Sequence, residues 1–307
     1  MLYFLLYRCS LIFAFVVWPL FVSGQQVANV PEAFSALSPD PKIILVENSI
    51  DVPTDRGHFQ GVQVIDENGS EKLLISGSSL TTAYVLKVDL ATRKSEKLIS
   101  LMQAPFRHAG GIQVSEPYMV VGIEDNFVKT ASKVCLFNYM ENNLLKAAPS
   151  IVIDRQGEPE QQTAGATGLL PLENDFMVLV SNWDSRNWDF YHINLEKKKK
   201  QLVASFTAPD NWPGYQAINL IADNQAIYAI GLYKKEDIGY ADLIFVSKRN
   251  IFELALQKVD TKPFNCAQGV DFGAAAGLQV DLEGKLHIWG TQKDASEQIT
   301  INKFSQY

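Results

Sequence analysis

Short runs of alternating apolar and polar residues recur along most of the chain, and turn-forming sequences separate them. In the first such unit, residues 58–66 form an alternating strand, and the favoured hairpin pair Asn68-Gly69 follows. Further apolar runs at 73–76, 84–88 and 97–101 complete a unit of four predicted strands. Because no stretch shows a helical period over three turns, the pattern predicts an almost purely β fold.

The four-strand unit occurs five times, and each copy opens with a small residue followed by an aliphatic one. These small residues are Gly61, Gly111, Gly168, Ala217 and Gly277, at successive spacings of 50, 57, 49 and 60 residues. This spacing is typical of propeller blades with generous loops. A small residue at each unit start is expected where the innermost strands approach one another around a central axis.

The two ends of the chain predict how the ring closes. The fifth unit ends at Tyr307 after only three strands, whereas an unassigned strand at 42–46 precedes the first unit. If the N-terminal strand completes the last blade, the ring has no open edge. The sequence therefore predicts a five-bladed β-propeller of four-stranded antiparallel blades over 42–307, after an irregular lead-in at 25–41. A β-sandwich or a β-solenoid is the alternative.

This organisation resembles five-bladed β-propellers in general, over nearly the whole chain after residue 24. Propellers of this size include sugar-binding lectins and glycoside hydrolases, and the resemblance is one of architecture only. In the hydrolases it implies carboxylates on the innermost strands. Here those strands carry His, Gln, Leu, Asn or Ala, which argues against that activity.

The N-terminus predicts export. Arg8 is the only charge before an apolar run at 11–22, and small residues up to Gly24 match a signal-peptidase site. An uncleaved anchor is the alternative, although Pro19 and the short run oppose it. We therefore expect a signal peptide at 1–24, a secreted or periplasmic protein, and no membrane insertion after cleavage.

Charge and cysteine content narrow the function further. The net charge of −7 argues against nucleic-acid binding, which needs Lys and Arg to neutralise phosphates. Cys135 and Cys266 fall in the second and fifth units. Units so placed should not touch across a ring, so we expect free thiols, with one disulfide as the alternative.

Candidate site residues lie on the loops that meet on one face of the predicted ring. His58 and His108 occupy the same position in adjacent units, three residues before Gly61 and Gly111, where they could bind an anion, ligate a metal or shuttle a proton. Capping of a strand start is the simpler explanation. The full set of predicted ligand-binding residues is Arg56, His58, Gln63, Arg107, His108, Gln113, Trp183, Asp184 and Trp212.

Two loops suggest more specific chemistry. Glu124, Asp125 and Asn126 concentrate oxygen ligands suited to calcium, although a solvated acidic turn would have the same sequence. Trp183 and Trp212 on the same face suit stacking against sugar rings, although indoles also fill gaps between blades.

These features predict a binding protein that holds a small polar ligand, with carbohydrate as one class, over the axial opening. A hydrolase or lyase acting on a glycan or phosphate ester is the alternative, with Glu124, Asp125 or Asp184 as base or metal ligand, His108 as acid and Arg107 steadying an anion. A platform for another exported protein is the third hypothesis. Zinc chemistry is not expected, since no Cys-x-x-Cys or His-Glu-x-x-His sequence is present.

Overall fold

A computed structural model describes residues 26–53, 55–140 and 148–306. The predicted signal peptide at 1–24 lies outside the described residues. The described chain is almost entirely β, and its strands fall into groups of four consecutive antiparallel neighbours. The first group is β2 (Phe59–Glu67), β3 (Ser70–Ser78), β4 (Thr82–Asp89) and β5 (Lys94–Gln103).

The next three groups repeat this order. The second is β6 (His108–Ser115), β7 (Tyr118–Glu124), β8 (Ala131–Asn138) and β9 (Ile151–Gln156). The third is β10 (Ala166–Pro171), β11 (Phe176–Ser181), β12 (Asn187–Asn194) and β13 (Lys199–Thr207). The fourth is β14 (Ala217–Ala222), β15 (Ile227–Lys235), β16 (Ile238–Ser247) and β17 (Gln257–Phe264).

The last group draws on both ends of the chain. It contains β18 (Val270–Val280), β19 (Leu286–Gln292), β20 (Gln298–Ser305) and β1 (Lys42–Glu47). Strand β1 pairs antiparallel with β20, from Lys42 opposite Lys303 to Glu47 opposite Gln298. The N-terminal strand thus covers the edge of β20 that would otherwise stay unpaired, as the sequence predicts.

The first strands of the groups form a closed, barrel-like arrangement. Gly61 of β2 pairs in parallel with Ala276 of β18, and Gly111 of β6 pairs with Ala166 of β10. At Gly277 a Cβ atom would lie 1.7 Å from the Val62 carbonyl oxygen, so no larger residue fits. The predicted crowding of small residues at the centre is therefore present.

The apolar core is divided among the interfaces between neighbouring groups. Five clusters of buried apolar side chains occur in the described residues, and each joins two adjacent groups. Ile65 and Leu74 of the first group, for example, share a cluster with Ile112 and Val121 of the second. Face-to-face packing of the sheets buries both faces of each inner strand, which explains why the strands read as nearly continuous apolar runs.

The lead-in at 25–41, predicted to be irregular, contains a short helix, α1 (Val30–Ser35). The side chain of Asn29 caps it by accepting from the Glu32 amide at 3.1 Å, and Pro31 fits the first turn, where no amide donor is needed. Val30 and Phe34 are buried in the cluster between the fourth and fifth groups. Among the described residues, no helix is long and apolar enough to cross a membrane.

Cys135 and Cys266 are both free, as predicted; Cys135 is buried and Cys266 is half-buried. Burial raises the pKa of the Cys135 thiol to about 12 and that of Cys266 to about 11. Neither sulfur is a reactive thiolate at neutral pH.

Candidate functional site

At the end of the central axis where His58 lies, two inner strands begin with irregular pairing. Strand register shifts between Phe59 and Gly61 in β2, and again between Ala109 and Ile112 in β6. An extra residue in one strand of a pair turns side chains away from their regular alternation. As a result Gln60, inside β2, joins His58 and His108 in one cluster.

Four polar side chains from three inner strands meet in this cluster, which we call the axial cluster: His58, Gln60, His108 and Gln216. The Gln60 side-chain nitrogen lies 2.9 Å from Nε2 of His108 and 3.1 Å from Nε2 of His58. Gln216 donates from its Nε2 to Oε1 of Gln60. Gln216 precedes β14, which is not a neighbour of β2 in the ring, so this hydrogen bond crosses the axis.

A fully buried carboxylate lies behind the axial cluster. Oε1 of Glu124 lies 3.2 Å from Nδ1 of His108, and Oε2 accepts from the Ala164 amide at 2.7 Å. The His108–Glu124 contact is not aligned as a regular hydrogen bond, and neither of its two atoms has another hydrogen-bond partner among the described residues. A continuous polar path therefore runs from Glu124 through His108 and Gln60 to Gln216.

Burial controls the charge of this path. Desolvation, reinforced by the charges of His58 and Arg107, lowers the pKa of His108 to about 3. Desolvation raises the pKa of Glu124 to about 7 against the opposing hydrogen bond from Ala164. Burial also lowers the pKa of His58. Both imidazoles are neutral at physiological pH, since the charged form is disfavoured away from water.

Below the axial cluster, the axis is filled by carboxamides. Oε1 of Gln113 accepts from the amides of Leu169 and Leu220, both at 2.7 Å, and its Nε2 donates to the Leu220 carbonyl at 2.7 Å. Gln63 accepts from the Val114 amide and donates to Asn219. The predicted ligand-binding residues Gln63 and Gln113 thus lie on the axis, with their amides engaged in linking inner strands.

The two predicted arginines lie at the same end as the axial cluster. Arg56 is exposed and has a positive φ of 50°, within the loop before β2. Arg107 directs Nη1 to the Leu80 carbonyl oxygen at 2.5 Å, which holds it over the neighbouring loop. Arg107 is close enough to influence the pKa of His108, whereas no contact joins Arg56 to the axial cluster in the described structure.

The predicted aromatic residues separate into one surface and one core residue. Trp183 is 54% exposed, and Nζ of Lys129 lies 4.5 Å from the centre of its ring. Asp184, next to it, is half-buried and accepts from the Arg186 amide at 3.2 Å. Trp212 lies in the core instead of at the rim, 8% exposed, with its ring 6.0 Å from that of Trp188, because it fills the interface between the third and fourth groups.

The loop predicted to bind calcium does not direct its carboxylates to one point. Glu124 faces His108 and Ala164, whereas Oδ1 of Asp125 accepts from the amides of Phe127 and Val128 at 3.0 and 3.2 Å. No group of three or more His, Cys, Asp or Glu residues suited to a metal occurs in the described part of the chain. Calcium binding by Glu124, Asp125 and Asn126 stays a prediction.

Sequence reasoning did not identify Gln60 and Gln216 as members of the site. Gln60 is two residues from His58, a spacing that by itself signals a shared strand face, but the bulge at this point cannot be read from a regular period. Gln216 directly precedes the fourth repeat start, Ala217, so the repeat alignment was the available signal.

A concave surface lies at the opposite end of the axis. This cleft has a volume of about 390 Å³ and is lined by strand ends and hairpin turns of the fifth, first and second groups. Its acidic lining residues are Asp66, Glu71, Glu116, Asp281 and Glu283. This end of the axis is therefore concave and acidic.

Comparison with known proteins identifies the fold alone. No protein-family model and no curated protein matches the sequence. The catalytic domain of a GH62 α-L-arabinofuranosidase from Coprinopsis cinerea is similar in structure, with a TM-score of 0.54, 10% identity, and coverage of 86% of this chain and 98% of that chain. A thermostable family-43 glycoside hydrolase has a TM-score of 0.50, 10% identity and coverage of 85% and 93%. The chain thus has an all-β, propeller-type fold with a closed, barrel-like sheet.

Proposed function

We propose that this chain is an exported five-bladed β-propeller that binds a small polar ligand, a carbohydrate by preference, at the axial cluster. Five groups of four antiparallel strands, the last completed by β1, support the blade count. The signal-like N-terminus supports export. The two similar structures are named as an arabinofuranosidase and a glycoside hydrolase, which supports carbohydrate as the ligand class.

The observation that carries the proposal is the convergence of two imidazoles and two carboxamides on one end of the axis. His108 and Gln216 are far in sequence from His58 and Gln60, yet the four side chains share hydrogen bonds within one layer. Imidazole and amide groups both donate and accept, which suits them to ligand hydroxyl groups. Exposed Trp183 on a neighbouring loop offers a ring face for a sugar.

A thermal-shift screen tests the proposal. The purified protein is mixed with neutral monosaccharides and oligosaccharides, and binding to the folded state raises its Tm by mass action. We expect the shift to disappear in His108→Ala and in Gln60→Ala. His192→Ala is the matched control, because His192 contacts the carboxylate of Asp175 at 2.7 Å outside the axial cluster.

Two results would contradict this proposal. One is a full shift retained in both axial variants, which would place the ligand elsewhere. The other is a shift lost equally in His192→Ala, which would indicate that the variants act through general destabilisation.

Glycoside cleavage is the second candidate function. The observation that favours it is the raised pKa of Glu124, about 7, beside His108, because a carboxyl group that holds a proton near neutrality suits acid–base chemistry. Chromogenic aryl glycosides would report turnover. Turnover that is lost in Asp125→Asn or Glu124→Gln with the fold intact would favour an enzyme, whereas binding without turnover would favour a lectin-like role.

A further inference from the structure

Only one of the two carboxylate oxygens of Glu124 has a clear structural role. Oε2 of Glu124 links β7 to the start of the third group through the Ala164 amide. Oε1 has only Nδ1 of His108 within reach, and Glu124 is fully buried. A buried carboxylate is costly unless its oxygens accept protons from donors, so the pair is stable only when a proton lies between the two atoms.

The other side of the imidazole shows which atom carries that proton. Nε2 of His108 faces the side-chain nitrogen of Gln60 at 2.9 Å, and the carboxamide oxygen of Gln60 accepts from Gln216. Since an amide nitrogen only donates, Nε2 must be the acceptor and Nδ1 the protonated atom. This tautomer places the protonated Nδ1 at 3.2 Å from Oε1 of Glu124 and directs a lone pair to the axial cluster.

Resting on the function proposed above, we infer that Glu124 is a positioning residue that holds His108 with its Nε2 lone pair toward the axial cluster, so that the site selects neutral hydroxyl-bearing ligands over phosphate esters. A ligand hydroxyl group can donate to this lone pair in place of the Gln60 amide, which occupies it in the free protein. A fully ionised phosphate presents only acceptors there and meets the carboxylate charge behind the ring.

The nearby cations do not reverse this selection. Arg107 is held on the Leu80 carbonyl, and Lys129 pairs with Glu160 at 2.9 Å while lying over the ring of Trp183. The lowered pKa values of His108 and His58 agree with a site that carries no imidazolium. At pH 8, above the pKa of Glu124, the carboxylate is ionised and accepts.

Imidazole nitrogen NMR at pH 8 tests the positioning role without any ligand. In the wild-type protein, the signals lost in His108→Gln should show a protonated Nδ1 and an unprotonated Nε2. In Glu124→Gln, Oε1 should turn to the Ala164 amide and the NH₂ group should donate to Nδ1, which moves the proton to Nε2. Glu124→Asp keeps a carboxylate and should keep the wild-type tautomer.

The same spectra contain the outcomes that would overturn the inference. A protonated Nε2 or a doubly protonated ring in the wild-type protein overturns it, whether or not any variant folds. An unchanged tautomer in folded Glu124→Gln also overturns it. Asp175→Asn is the matched control, because it changes the carboxylate partner of His192 and should leave the His108 signals unaltered.

Calorimetry at pH 8 tests the ligand class with glucose, galactose and arabinose and their phosphate esters. We expect the neutral sugar to bind about tenfold or more tightly than its ester, and the preference to fall in Glu124→Gln, where Nε2 becomes a donor. Tighter binding of the ester would overturn the selection. Absence of binding by all probes would overturn the proposed function and the ligand class, while the NMR result would still decide the role of Glu124.

Discussion

The two ends of the central axis use polar residues in opposite ways. At the opposite end from the axial cluster, two carboxylates of the cleft close hairpin turns: Asp66 accepts from the Gly69 amide at 2.7 Å, and Asp281 accepts from the amides of Glu283 and Lys285. At the axial cluster, no turn requires Gln60 or Gln216. The cleft thus has carboxylates that local turns explain, whereas the axial cluster has side chains that local structure leaves unexplained.

This difference shows that shape alone is a poor guide to the site in this fold. Short hairpins need Asp and Asn for backbone reasons, so the hairpins of three groups crowded around one end can produce an acidic concavity without selection for a ligand. Buried neutral polar groups on the axis cost desolvation unless they hydrogen bond, and the axial cluster satisfies them across different strands. The proposed binding site is therefore the end with shared hydrogen bonds.

The largest effect should come from Gln113, which separates the two ends. Gln113→Leu leaves two buried amides and one carbonyl without their partner, at about 1–3 kcal/mol each, so we expect the free energy of unfolding to fall by roughly 3–5 kcal/mol. Urea denaturation would measure it. The exposed Gln103→Leu is the control and should change stability little. Equal effects in both variants would mean that the axis gains no stability from this residue.

The pH dependence of stability should distinguish the buried carboxylate from the exposed ones. Glu124 has a folded pKa of about 7, against about 4.5 when unfolded, so the folded state binds more protons between these values. The contribution of the protonated Glu124 is therefore fully present below pH 4.5 and is lost as the pH rises through 7. Relative to Glu124→Gln, the wild-type protein should lose about 3 kcal/mol over this range.

The measurement is the difference between the two unfolding free energies at each pH, because other titrating groups cancel in it. His108 gives each protein an opposite slope, since its pKa falls from 6.5 to about 3 on folding and stability is lost as the pH falls below 6.5; this slope is common to both proteins and cancels in the difference. A flat difference between pH 4.5 and 7 would show that Glu124 ionises normally in the folded protein.

The fold follows from the sequence because its signals are local and repeated. The Asn68-Gly69 turn, with φ of 56° and 79°, and the small residue at Gly277 each report a backbone need that only certain residues meet. The strand at 42–46 was predictable because the fifth unit lacks a partner for its last strand. Because the unit recurs five times in the sequence, a strand or turn predicted in one unit can be checked against the other units.

The site was less predictable, because it depends on irregularities that leave no periodic trace. His58 and His108 were found through the repeat, and they do meet, with ring centres 6.4 Å apart. Gln60 enters the site through a bulge, and Glu124 turns inward although its neighbour Asp125 remains in the loop. Trp212 was predicted to bind ligand but is buried in the core. A tryptophan beside Pro213-Gly214 can occupy either a surface loop or the core, and the sequence does not distinguish the two.

The smallest effect should come from neutralising one carboxylate of the cleft. This variant tests most directly which end of the axis binds the ligand. Glu116 is exposed, lines the cleft beside Asp66 and sits among like charges, so Glu116→Gln should relieve mutual repulsion and raise the Tm by about 1 °C at low ionic strength. The gain should vanish in 1 M salt, where the screening length is about 3 Å. Ligand binding at the axial cluster should be unchanged, because the carboxamides of Gln63 and Gln113 fill the axis between the two ends. If Glu116→Gln instead abolished sugar binding while leaving the fold intact, the ligand would belong to the acidic cleft, and the assignment of function to the axial cluster would be wrong.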